Sequence, residues 1–170
     1  MNKEKIAFIP RQYLAVIAVL LAIMMSVLDG TIMNIALPTL AHDFDVTPST
    51  AIWIVNAYQL VITMTLLSFA SLGDIYGYRR IFLIGISIFV GASLACTLST
   101  SFWMLTAARV IQGFGAACVM SVNTALIRLI YPPQILGRGM GVNAMVVAVS
   151  AAAGPAIAGS ILALGSWPWL

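Results

Sequence analysis

Charge is what this sequence has least of. Only 8% of its 170 residues are Asp, Glu, Lys or Arg, against about 25% in a soluble domain. With 62% of residues hydrophobic, a core of this size leaves far too much apolar surface for water to cover. That excludes a soluble fold. There is one histidine, His42, in a short loop between apolar runs, where a solvated role is expected. No H-E-x-x-H or Cys/His cluster is present, so no metal site, cofactor or enzyme activity is expected. The two cysteines, Cys96 and Cys118, fall in apolar stretches, the setting of packed thiols rather than of a disulfide. Low-complexity tracts and long linkers are absent too.

What the chain does have is long apolar runs. Five of them, near Tyr13–Ala36, Ser49–Leu72, Ile81–Leu98, Phe102–Leu126 and Met140–Leu164, reach the ~20 residues needed to cross a bilayer. Segments this continuous satisfy their backbone hydrogen bonds in lipid only as helices. The expected fold is therefore all-α, a polytopic bundle of five transmembrane helices in one domain over residues 1–170. The first run has the outline of a signal peptide, with Lys3, Lys5 and Arg11 ahead of it. It is longer than an h-region and lacks an A-x-A-like site before Asp29, so it reads as the first span.

Charge placement orients the bundle. With the N-terminus in the cytoplasm, Lys3, Lys5, Arg11, Arg79, Arg80, Arg128 and Arg138 all fall on the cytoplasmic side, and only Asp43, Asp45 and His42 oppose them. The net charge of +3 thus reports topology, and no nucleic-acid partner is expected. Connections are short. Pro38 is expected to help end helix 1, Thr47 to cap helix 2 with Pro48 in its first turn, and Gly77 to turn the chain between helices 2 and 3. Ser99–Ser101 reads as a tight outer turn, the prolines of "RLIYPPQILGRG" mark the second cytoplasmic loop, and Trp167 and Trp169 read as interfacial anchors.

Two charges remain inside the membrane. Asp29 and Arg109 each lie about seven residues from the outer end of an expected helix, roughly 10 Å deep. At matching depth the two side chains are placed to pair, which lowers the cost of burying each. Such a pair is either part of a pathway or a static lock between helices. Asn34, Asn56, Gln59 and Gln112, with Asn123 lower down, are candidates for a polar cavity around it, or for interhelical glue. Helix 5 carries ridges of small side chains. One is Ala144, Ala148, Ala152, Ala156 and Ser160; beside it run Ser150, Gly154 and Ala158, then Ala151, Pro155 and Gly159. Gly154-Pro155 adds a bending point. Asp74 stands among the cations Arg79 and Arg80, where it either caps a helix or pairs with one of them or with a group outside this chain.

These motifs together resemble the major facilitator superfamily, in particular its fourteen-helix drug:proton antiporter branch. "LDGTIMNIALP" is similar to that branch's helix 1 motif, with Asp29 at the acidic position. "SLGDIYGYRR" resembles the superfamily's loop 2–3 motif, keeping Leu72, Asp74, Gly77, Arg79 and Arg80 but departing at Ala70, Ile75 and Tyr78. "LTAARVIQGFGAA" resembles the helix 4 motif around Arg109, Gln112, Gly113 and Gly115. "GVNAMVVAVSAAAGPAIAG" resembles the helix 5 antiporter motif, with Gly141, Gly154, Pro155 and Gly159 in place.

The resemblance implies a proton-coupled secondary transporter that exports lipophilic or cationic drugs by alternating access. Asp29 and Arg109 would handle proton and cation, and the loop 2–3 charges would latch onto helices outside this chain. A small-molecule cargo, protons and the lipid bilayer are the implied partners, and the plasma membrane (inner, in a bacterium) the implied location. Five helices are fewer than this architecture uses, so the sequence is expected to be the front part of a longer protein. The residues themselves leave open a metabolite transporter of the same fold and a non-transporting membrane subunit.

Overall fold

A computed structural model describes residues 10–165 and Trp167. Lys3, Lys5 and Trp169 lie outside the described residues, as does the side chain of Arg11. Among the described residues there are five α-helices and no strand: α1 (Pro10–Asp43), α2 (Pro48–Tyr76), α3 (Tyr78–Thr97), α4 (Phe102–Ile130) and α5 (Leu136–Leu164). A 3₁₀ turn at Pro133–Ile135 precedes α5. All five are long and apolar enough to span a membrane. Short links make successive helices antiparallel. Arg79, Arg80, Arg128 and Arg138 gather at one end of the bundle, and His42, Asp43 and Asp45 at the other.

Local chemistry explains most boundaries. Thr47 caps α2 by accepting from the Thr50 backbone N–H (3.3 Å), with Pro48 in the first turn. Ser101 does the same for α4 toward Met104 N–H (3.3 Å). Gly77 alone separates α2 from α3, at φ +93°, a backbone region that side-chain-bearing residues avoid. Pro38 corrects an expectation: it lies inside α1, which continues to Asp43. Its ring denies Asn34 a backbone partner. Packing just beyond compensates, because Leu40 is fully buried against Ile54, Phe102 and Leu105.

α4 is the trunk of the bundle. More than half of its apolar window is buried, against a third or less in every other helix. It contributes to all three apolar clusters: with Val19, Ile81 and Phe82; with Leu40 and Ile54; and with Tyr58, Ile62 and Phe89. Glycine allows the closest approach. A methyl on Gly115 would press on the Phe89 backbone nitrogen (2.5 Å) and the Gly85 carbonyl oxygen (2.8 Å) of α3, atoms that cannot step aside. Gly115→Ala is therefore expected to destabilise the bundle by about 2–3 kcal/mol, the upper part of the overpacking range. Reversible unfolding in detergent measures it, and a loss below ~0.5 kcal/mol would show that α3 and α4 are free to separate.

On α5 the structure selects one ridge. Ser150, Gly154 and Ala158 are buried, whereas Ala144, Ala148, Ala152, Ala156 and Ser160 are exposed. Gly154 meets the Thr31 side chain of α1 so closely that any Cβ there would run into Thr31 Oγ1. Thr31 is held in place, donating to the carbonyls of Val27 (3.2 Å) and Leu28 (2.9 Å). Gly141 and Gly159 face open space.

Candidate functional site

Each intramembrane charge is carried by a long helix, and the packing of α1 on α4 brings the two together. Arg109 Nη1 donates to Asp29 Oδ2 at 2.6 Å. The contact forms although α1 overruns the expected end, leaving Asp29 twice as far from the helix terminus as the sequence reading placed it. Gln112, one turn along α4, closes a triangle. Its Oε1 accepts from the same Nη1 (2.6 Å), and its Nε2 donates to Asp29 Oδ1 (3.0 Å). Both carboxylate oxygens are thus engaged by donors on α4, charge-assisted in the case of Arg109.

The two partners differ in access. Arg109 is wholly buried, while the Asp29 side chain keeps 20% of its surface exposed. A cavity of about 40 Å³ beside the pair is lined by Asp29, Met33, Cys96, Arg109, Gln112 and Trp167. That is room for a water or two. The Cys96 thiol points to Gln112 Oε1 (3.7 Å), so this cysteine borders the site rather than serving as packing alone. Trp167 also packs at a tilt against Phe44, with ring centroids 5.3 Å apart. On the remaining side the Tyr58 ring of α2 lies over the guanidinium, 4.3 Å from its carbon.

Chemically, this is a carboxylate that can bind or release a proton beside a cation that cannot.

Other expected residues stand elsewhere. Asn34 is exposed and donates to the Gly30 carbonyl of its own helix (2.8 Å). Asn56 and Gln59 lie on an exposed face of α2, on the same helical stripe as Thr63. None of the three reaches Asp29. Asn123 binds Asn143 of α5 (Nδ2 to Oδ1, 2.9 Å) toward the cationic end. Asp74 accepts a hydrogen bond from the Tyr78 hydroxyl, and among the described residues it forms no ion pair with the exposed Arg79 or Arg80. The sequence reading missed Tyr58. Its signal was faint, an aromatic between two polar residues in "NAYQL" that faces away from both.

A family model for the Major Facilitator Superfamily matches residues 19–170. The chain belongs to that superfamily. It is 59% identical over 162 residues to the uncharacterized transporter YebQ of Escherichia coli (strain K12), covering 95% of this chain and 35% of that protein. It is 35% identical to the riboflavin transporter RibZ of Clostridioides difficile (strain 630), over 93% of this chain and 35% of RibZ. With the drug efflux pump JefA of Mycobacterium tuberculosis it shares 39% identity, over 88% of this chain and 30% of JefA. The chain thus spans about a third of the length of these relatives.

Proposed function

We propose that these helices belong to a proton-coupled exporter of lipophilic cations that works by alternating access, with Asp29 as the exchange carboxylate. The observation that carries this reading is the partly buried Asp29–Arg109–Gln112 triangle. A charge pair is expensive to hold inside a membrane, and this one keeps an exposed side and a small adjoining cavity where a static lock needs neither. The N-terminus is assigned to the cytoplasm of a plasma membrane, because the exposed arginines gather at that end.

The exposed polar stripe of Asn56 and Gln59, together with Asn34, faces the remaining helices across the substrate cavity. Asp74, Gly77, Arg79 and Arg80 form the latch toward those helices at the cationic end, where the Tyr78 hydroxyl pre-orients the Asp74 carboxylate. On α5, Gly154 and Pro155 provide the bending point, and the exposed ridge from Ala144 to Ser160 meets the partner half with Gly141 and Gly159.

Reconstituting the whole protein that carries these helices tests the reading. An imposed pH gradient is expected to drive ethidium or tetraphenylphosphonium across the vesicle membrane, and dissipating the gradient to stop it. A folded protein that moves neither cation overturns the assignment. The metabolite reading rests on one observation, that identity to the riboflavin transporter is nearly as high as to the efflux pump. Gradient-driven riboflavin movement without cation movement would establish it instead.

A further inference from the structure

Arg109 offers five N–H donors, and the described contacts use one nitrogen. Nη1 serves both Asp29 and Gln112, while Nε and Nη2 meet no acceptor in a residue that is wholly buried. These two nitrogens form the edge that arginine normally presents to a two-oxygen acceptor. The Tyr58 hydroxyl is the third unpaired group at this spot; the residue is 2% exposed and its ring covers the guanidinium face. Of the four unpaired buried side-chain atoms among the described residues, three are gathered here. Packing alone gives no reason for this, since a phenylalanine fills the same space without a buried hydroxyl. The placement is also built in. A Cβ on Gly113 would crowd the Tyr58 carbonyl oxygen at 3.0 Å, so this glycine lets the α2 backbone settle beside Arg109.

We propose that Tyr58 is a positioning residue of the exchange site: its ring holds Arg109 against ionised Asp29, and its hydroxyl accepts from the unpaired Nε–Nη2 edge of the guanidinium once Asp29 is protonated. The inference rests on the exchange role given to Asp29 above. When Asp29 takes up a proton, one of its oxygens becomes a donor and the charge facing Nη1 disappears. Arg109 keeps its own charge and is left with the neutral Gln112 Oε1 as its one full acceptor, so a second acceptor stabilises it. A short slide along the Tyr58 ring carries the Nε–Nη2 edge to the phenol oxygen, with no further charge to bury. The ionisable groups facing this site are Asp29 from α1, Tyr58 from α2, Cys96 from α3 and Arg109 from α4; α5 meets α1 at Thr31 and adds none there.

The test is a pH titration of the Asp29 carboxyl band by infrared difference spectroscopy on the whole protein in lipid vesicles, which requires no cargo. The band is identified by its loss in Asp29→Asn. Tyr58→Phe keeps the ring and removes the acceptor for the protonated state. The protonated state is therefore weakened, and the midpoint is expected to fall by about one pH unit. Tyr58→Leu, which removes the ring too, is expected to lose gradient-driven ethidium movement at least tenfold. A Tyr58→Phe midpoint equal to that of the unaltered protein overturns the proposal, even if Tyr58→Leu fails to fold. If no carboxyl band vanishes in Asp29→Asn, the exchange role of Asp29 fails first, and the Tyr58 role falls with it for a reason that is separately visible.

Discussion

Asp29→Asn in the whole protein is expected to reduce proton-driven ethidium export by roughly 10²-fold or more, the scale at which removal of a positioned proton-transfer group is felt. The amide keeps an oxygen that can accept from Arg109 Nη1, so the α1–α4 contact survives in outline. What it loses is the ability to cycle between charged and neutral forms. Membrane levels of the variant, measured by immunoblot, are therefore expected to match those of the unaltered protein. Arg109→Ala is a different experiment. It removes the donor from both Asp29 and Gln112 and leaves a space beneath the Tyr58 ring. Export retained at full rate by Asp29→Asn would mean that the pair is a static lock.

Gly154→Ala is expected to be nearly as damaging, by a steric route. The new methyl collides with a Thr31 side chain that two carbonyls of α1 hold in place. Separating α5 from α1 at this point displaces the turn just past Asp29, and overpacking of this kind costs about 1–3 kcal/mol. Thr31→Gly removes the obstacle. The double variant is then expected to resemble the Thr31→Gly single, with a coupling of at least ~1 kcal/mol in a double-mutant cycle on unfolding in detergent. Simple additivity of the two changes would show that the side chains do not meet. Export measured on the same set separates a loss of stability from a loss of transport.

The order of the spans was legible in the sequence, because hydropathy marks each long apolar run. Depth was legible for Arg109 but not for Asp29, since α1 runs on to Asp43; the two meet all the same. The direction in which a helix faces was not legible, because the neighbours decide it. Asn34, Asn56 and Gln59 lie on the right helices but turn away from Asp29, while Gln112, chosen on the same grounds, turns toward it. On α5 three small-residue ridges looked alike, and only contact with Thr31 shows that the one through Gly154 is packed. Tyr58 was hidden for the same reason. A buried aromatic reads as packing until a guanidinium is found beneath it. Pro38 misled in the opposite direction, since its local cost was plain and the burial of Leu40 that offsets it was not.

The 80-residue separation of Asp29 from Arg109 has a consequence for biogenesis. At about 5–20 residues per second, α1 leaves the ribosome roughly 4–16 s before the arginine that will neutralise it. A carboxyl group survives that wait in lipid by borrowing a proton, whereas a guanidinium has no neutral form to adopt. Synthesis delivers the partner that can be discharged first and the permanently charged one second, so each newly made α4 enters a membrane where a carboxyl able to ionise beside it is already in place.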